Sequence, residues 1–104
     1  MTSAQNLAKI KSILQTEFSF SKVILFGSQA RGTAKADSDI DLCILNSGTS
    51  RKLDVSRQVR RALHSEIKSP IDVLVYSPEE FASRARELKS IERVIAEEGI
   101  PLYG

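Results

Sequence analysis

Hydrophobic residues recur along this chain with two distinct periods. Leu7, Ile10, Leu14 and Phe18 stand at helical spacing after Thr2 or Ser3, either of which can cap, and predict an amphipathic first helix. Lys22 to Phe26 is a short, nearly continuous apolar run closed by Gly27, the pattern of a buried strand. Asp39 to Leu45 begins by alternating acid with aliphatic residues and then turns wholly apolar, as a strand does when its first end emerges at a surface. From Arg51 to Lys68, steps of about 100° gather Val55, Val59, Ala62 and Leu63 on one side and Arg57, Arg60, Arg61, His64 and Lys68 on the other, predicting a helix with a basic outer face. Pro70 stops it, and Ile71 to Val75 reads as a third strand. Ser77-Pro-Glu-Glu80 combines an N-cap hydroxyl, a first-turn proline and a reciprocal acid, a helix start. Phe81, Ala85, Leu88, Ile91 and Ile95 carry the apolar spacing on toward Gly99, with a break near Ser90, and the tail ends in IPLYG. The expected fold is α/β (α+β): a small mixed sheet of about three main strands flanked by helices, in one domain over residues 1–104.

Whole-chain properties narrow the function classes only slightly. Fifteen basic and thirteen acidic residues leave a formal charge of +2, too little for a general field toward nucleic acid or membrane. The single cysteine, Cys43, excludes an internal disulfide and reads as a small core residue, since no basic neighbour would stabilise its thiolate. No signal-like apolar run and no stretch near the roughly 20 residues of a membrane helix is present, so a soluble, cytoplasmic protein is expected.

The chemistry concentrates around the loose segment from Gly32 to Ser38. Asp39 and Asp41, two apart on a strand, project on one face, and the repulsion of paired carboxylates is offset most simply by a cation such as Mg²⁺, which takes hard oxygen ligands and keeps substrate phosphates. One helix between the second and third strands favours a right-handed crossover and parallel pairing, which brings Asp72 to the same sheet edge. For Gly27 to reach that edge as well, the first strand must run antiparallel to the second. Ser28 to Arg31 would then open a short helix toward the site, with Gly27 allowing close backbone approach, Ser28 adding a hydroxyl and Arg31 a fork of donors to phosphate. Lys35 is a weaker phosphate candidate, and solvated loop charge is its plain reading. These parts describe phosphoryl-type transfer with two metal ions held by Asp39, Asp41 and Asp72, and Asp72 helping to deprotonate the acceptor hydroxyl.

The run GSQARGTAKADSDIDL, Gly27 to Leu42, resembles the signature of the DNA polymerase β-like nucleotidyltransferase superfamily, Gly-Ser, ten residues (29 to 38), then Asp-x-Asp, with Asp72 in PIDVLVY matching the third acid. The chain length is similar to the minimal members, which consist of little beyond the catalytic core. That resemblance implies ATP as substrate, Mg²⁺ as cofactor, Gly27 and Ser28 as the phosphate-anchoring dipeptide, Asp39 and Asp41 as metal ligands, and a partner of the HEPN toxin class that some members modify with adenylate. The leading expectation is therefore transfer of a nucleoside monophosphate, AMP above all, to a hydroxyl of a partner toxin. A non-catalytic antitoxin that masks its partner is the rival, and a transferase acting on RNA or a small molecule the third reading.

Other features have bland readings beside functional ones. The basic face of Arg57, Arg60, Arg61, His64 and Lys68 reads as solvated surface or as a dock for an acidic partner or RNA, told apart by salt sensitivity. His64 lacks ligand-spaced neighbours and reads as structural or solvated. Tyr76 and Tyr103 read as core or edge aromatics. A homo-oligomer is compatible with everything above.

Overall fold

The computed structural model describes residues 3–32 and 39–103. Its elements are α1 (Ser3–Glu17), β1 (Lys22–Phe26), α2 (Ser28–Arg31), β2 (Ile40–Leu45), α3 (Lys52–His64), β3 (Ile71–Tyr76), α4 (Pro78–Ala85), α5 (Ile91–Glu98) and β4 (Ile100–Tyr103). The strands form one mixed sheet in the order β3-β2-β1-β4. β1 pairs antiparallel with β2, and β2 pairs parallel with β3, the two strand directions that the acid placement demands.

The near-continuous apolar character of β1 and β2 follows from burial on both faces. Val23 and Leu25 of β1, Ile40, Leu42 and Ile44 of β2 and Val73 of β3 face Ile10 and Leu14 of α1 and Val55, Val59 and Leu63 of α3. Ile24, Cys43 and Leu45 turn to the other side, against Phe81 of α4 and Ile95 of α5. The sheet is thus sandwiched between helix layers. A period of two assigns each strand residue to a layer, and Asp41 shares its face with Cys43 and Leu45.

β4 goes beyond the three expected strands. It is four residues long and contains a proline, a weak strand signal, yet Pro101 is tolerated because β4 lies at the sheet edge. Its register against β1 runs Val23 to Tyr103 and Ile24 to Pro101, passing over Leu102. Gly99 makes the turn into it: an added Cβ would press into Ile24 Cγ2 and the Ile95 carbonyl.

One helix boundary also differs from expectation. α3 ends at His64 rather than Lys68. The amides of Glu66 and Ile67 both donate to the Leu63 carbonyl, at 3.1 and 2.9 Å, and this tightened turn accompanies burial of Ile67. The C-terminal apolar spacing breaks at Ser90 as expected. There the hydroxyl contacts the Arg84 carbonyl at 2.7 Å and accepts from the Arg93 amide at 3.1 Å, capping α5. The break rotates the pattern, so Phe81 and Ile95 are core while Leu88 and Ile91 are 80% and 53% exposed. At the start of α4, Ser77 accepts from the Glu80 amide at 3.1 Å, whereas the Glu80 carboxylate engages Lys52 and Arg84.

One polar interaction is built into the α4/α5 layer. Glu92, buried in the first turn of α5, accepts a 2.6 Å hydrogen bond from the Tyr76 hydroxyl. Burial first, and then Glu92, raise the Tyr76 hydroxyl above the usual tyrosine range. The same two causes push the Cys43 thiol up to about 12, so it stays protonated at neutral pH, as a core thiol does. His64 is exposed, and among the described residues no helix is long and apolar enough to cross a membrane. Because Tyr76→Phe leaves a buried carboxyl without its donor, urea unfolding should show a loss of roughly 1–3 kcal/mol, with Glu92→Gln, which keeps an acceptor, losing less. Equal losses in the two variants would contradict this account.

Candidate active site

The sheet register assembles the candidate residues at one end. Phe26, the last residue of β1, stands opposite Asp41, and Asp41 stands opposite Asp72 in the parallel pair. Gly27 follows Phe26 directly, and Asp39 precedes the first residue of β2. The Ile40 amide donates to the Pro70 carbonyl at 2.9 Å, fixing the level at which β2 and β3 begin. Asp41 and Asp72 share a face by register, the one that leads to Leu74, Tyr76 and the α4/α5 layer. Asp39 and Asp72 are exposed, and Asp41 is half-buried between the strands.

Charge crowding follows from this placement. Burial raises the Asp41 carboxyl above its ordinary value of 3.8, the charges of Asp72 and Asp39 raise it further, and a hydrogen bond between the Asp41 and Asp72 side chains adds to the effect. Arg31, at the end of α2, acts in the opposite direction and so exerts its charge on the cluster. The donor set is entirely carboxylate oxygen, the kind that hard divalent cations take. Among the described residues no group of three or more His, Cys, Asp or Glu side chains is already arranged to hold a metal ion. Asp72 stands opposite Asp41 across the parallel pair, and Asp39 adds its charge from outside the strand.

Gly27 sits directly against the acids. Its φ of 76° is a conformation side-chain-bearing residues rarely adopt, and an added Cβ would collide with Asp41 Oδ2 and lie 3.2 Å from Cγ. Gly27 thus permits close approach of backbone to the Asp41 carboxylate, a role beyond the approach to phosphate expected from its position. Its carbonyl accepts from the amides of Ala30 and Arg31, both at 3.1 Å, which starts α2 at Ser28. Gly32 then ends α2 in the left-handed conformation. Lys35 and the rest of the segment between Gly32 and Asp39 lie outside the described residues.

The two glycines of α2 supply a paired prediction. Gly32→Ala forces a side chain into the left-handed region at about 1–2 kcal/mol, and Gly27→Ala into an extended positive-φ conformation at about 1–3 kcal/mol. An added Cβ at Gly32 meets nothing within 4 Å among the described residues, whereas at Gly27 it displaces Asp41. Both variants should lose stability in urea titrations, but Gly27→Ala alone should disturb the Asp41 side-chain resonances by NMR. An undisturbed Asp41 in Gly27→Ala would refute the contact.

Comparison with known proteins gives the arrangement a context. No curated protein matches the chain in sequence. Among solved structures it is similar to a chain of a toxin–antitoxin complex with AMP-PNP, at 23% identity and TM-score 0.61, covering 95% of this chain and 73% of that one. It is similar to a chain of the complex between a tri-AMPylated Shewanella oneidensis HEPN toxin and the MNT antitoxin, at 19% identity and TM-score 0.64, covering 99% and 73%. A Sulfolobus solfataricus chain assigned as a nucleotidyltransferase shares the fold at 22% identity and TM-score 0.61, covering 94% and 79%. The sequence profile of the family described as "Polymerase beta, Nucleotidyltransferase" matches residues 8–99, which takes in every residue of the acidic sheet end and both helix layers, and the chain belongs to that family.

Proposed function

We propose that this chain is a Mg²⁺-dependent nucleotidyltransferase that moves AMP from ATP onto a hydroxyl of a partner protein, acting as the antitoxin of a HEPN-type toxin. The observation that carries the reading is the convergence of Gly27, Asp41 and Asp72 at one sheet end, inside a sequence matched by a nucleotidyltransferase family. Structural relatives that hold AMP-PNP, or an AMPylated toxin beside an antitoxin, support the choice of nucleotide and acceptor.

In this reading Asp39, Asp41 and Asp72 would hold Mg²⁺, which neutralises charge developing on the phosphoryl oxygens. The cation would offset the mutual repulsion of these carboxylates, whose oxygens are the hard ligands it takes. Gly27 and Ser28 approach the triphosphate from β1, and Arg31 offers its guanidinium to a phosphate oxygen. Asp72 takes the proton of the acceptor hydroxyl as that oxygen bonds to the α-phosphorus and pyrophosphate departs.

A masking role is the second reading. Leu88, Ile91, Val94 and Ile100, 80%, 53%, 45% and 45% exposed, offer apolar area for a partner. One experiment separates the two. With radiolabelled ATP, Mg²⁺ and the partner encoded beside this chain, Asp39→Asn/Asp41→Asn should lower label transfer at least about a hundredfold while leaving the fold intact by circular dichroism. Full neutralisation of the partner by the double variant would favour masking, and retained label would sink the assigned chemistry.

A further inference from the structure

The two outer edges of the sheet differ. β4 is four residues long, contains Pro101 and shifts register against β1 between Val23 and Ile24, features that blunt an edge against further pairing. At the opposite edge β3 runs six residues, IDVLVY, with no proline, glycine or lysine and an unbroken register against β2. Its backbone groups divide by alternation. The Pro70 and Tyr76 carbonyls accept from the Ile40 and Asn46 amides at 2.9 and 2.8 Å, so the even-numbered positions turn toward β2. The N–H and C=O groups of Ile71, Val73 and Val75 therefore point outward, and among the described residues no loop backbone and no side chain bonds to them. Ile71, Leu74, Val75 and Tyr76 are only part-buried, whereas Leu42, Cys43 and Ile44 of β2 are fully enclosed.

This open edge starts at the acids. Asp72 is the second residue of β3, and its side chain shares a face with Asp41. A strand added beside β3 lies about 4.7–4.9 Å away and alternates its side chains between the two faces of the sheet. In antiparallel pairing the residue opposite Asp72 has its Cβ about 4.5–5.5 Å from the Asp72 Cβ, on the acidic face, while its chain neighbours fall on the α1/α3 face. A hydroxyl-bearing side chain at that place stands beside the carboxylate that takes its proton in the transferase reading. We infer that the free edge of β3 takes up an extended segment of the acceptor polypeptide as a fifth strand, and that pairing opposite Asp72 selects the hydroxyl that is modified. The inference rests on the transferase reading for the role of Asp72, and on the strand edge for recognition. The edge specifies a polypeptide: its outward N–H and C=O groups repeat every second residue, at about 6.6 Å, and a phosphodiester backbone has no N–H donors to offer at that repeat.

Backbone amide hydrogen exchange of the full ¹⁵N-labelled chain, followed by NMR with and without the partner encoded beside it, tests this without requiring transfer. In the free chain the amides of Ile71, Val73 and Val75 should exchange faster than the ladder amides of Asp72, Leu74 and Tyr76, and the partner should slow those three at least about tenfold. Val75→Pro removes one outward N–H while sparing the ladder to β2, and should weaken partner binding about tenfold with circular dichroism unchanged; if that variant does not fold, the wild-type amides decide alone. Protection of the three amides without label transfer from ATP would uphold the edge and sink only the transferase reading. A partner that leaves the three amides unprotected, or full-strength partner binding by folded Val75→Pro, would overturn the inference. Protection that grows with the concentration of the chain alone would assign the edge to a second copy and overturn it as well.

Discussion

The placement of the Asp41 carboxyl is the constraint on which the rest of the structure turns. It is half-buried at the end of a strand whose other residues are almost all core, with Asp72 across the parallel pair, Asp39 two residues back and the Gly27 backbone pressed against it. Such an arrangement is unfavourable by itself: burial and two neighbouring carboxylates all oppose ionisation. A fold that keeps it needs a rigid scaffold, and the two-sided burial of β1 and β2 provides one. Free energy stored at the sheet end is offset by the apolar layers behind it.

The same constraint explains the mixed sheet. A strand that ends at Gly27 and one that begins near Asp41 meet at one edge only if they run in opposite directions, while the helical connection through α3 returns β3 parallel to β2. Each strand therefore delivers one component: β1 a glycine that can come close, β2 the acid it approaches, β3 the acid whose charge stands opposite.

Much of this was legible in the sequence because burial and charge leave strong period-two and period-3.6 patterns. The first three strands, their directions, the Ser77 cap and the Ser90 break could all be read from residue order. β4 was not legible, since four residues containing Pro101 form a strand only because an edge on β1 is free to receive them. The end of α3 was misplaced because Ile67 continues the apolar spacing while the chain has already left the helix. Leu88 and Ile91 look like core until the turn before Ser90 rotates them outward. At the site, Gly27, Asp41 and Asp72 converge as the spacing implied, but that Gly27 serves the Asp41 carboxylate depends on a tertiary contact that no local pattern encodes.

The most direct test of the central claim is a Mg²⁺ titration of the ¹³C-labelled protein, following the side-chain carboxyl carbons of Asp39, Asp41 and Asp72 by NMR across a pH series. If the sheet end is one cation site, the three resonances shift along a common binding curve and the Asp41 titration moves down toward its ordinary range as the cation opposes the neighbouring charges. An Asp41 titration that Mg²⁺ leaves unchanged, with shifts confined to other acids, would contradict it.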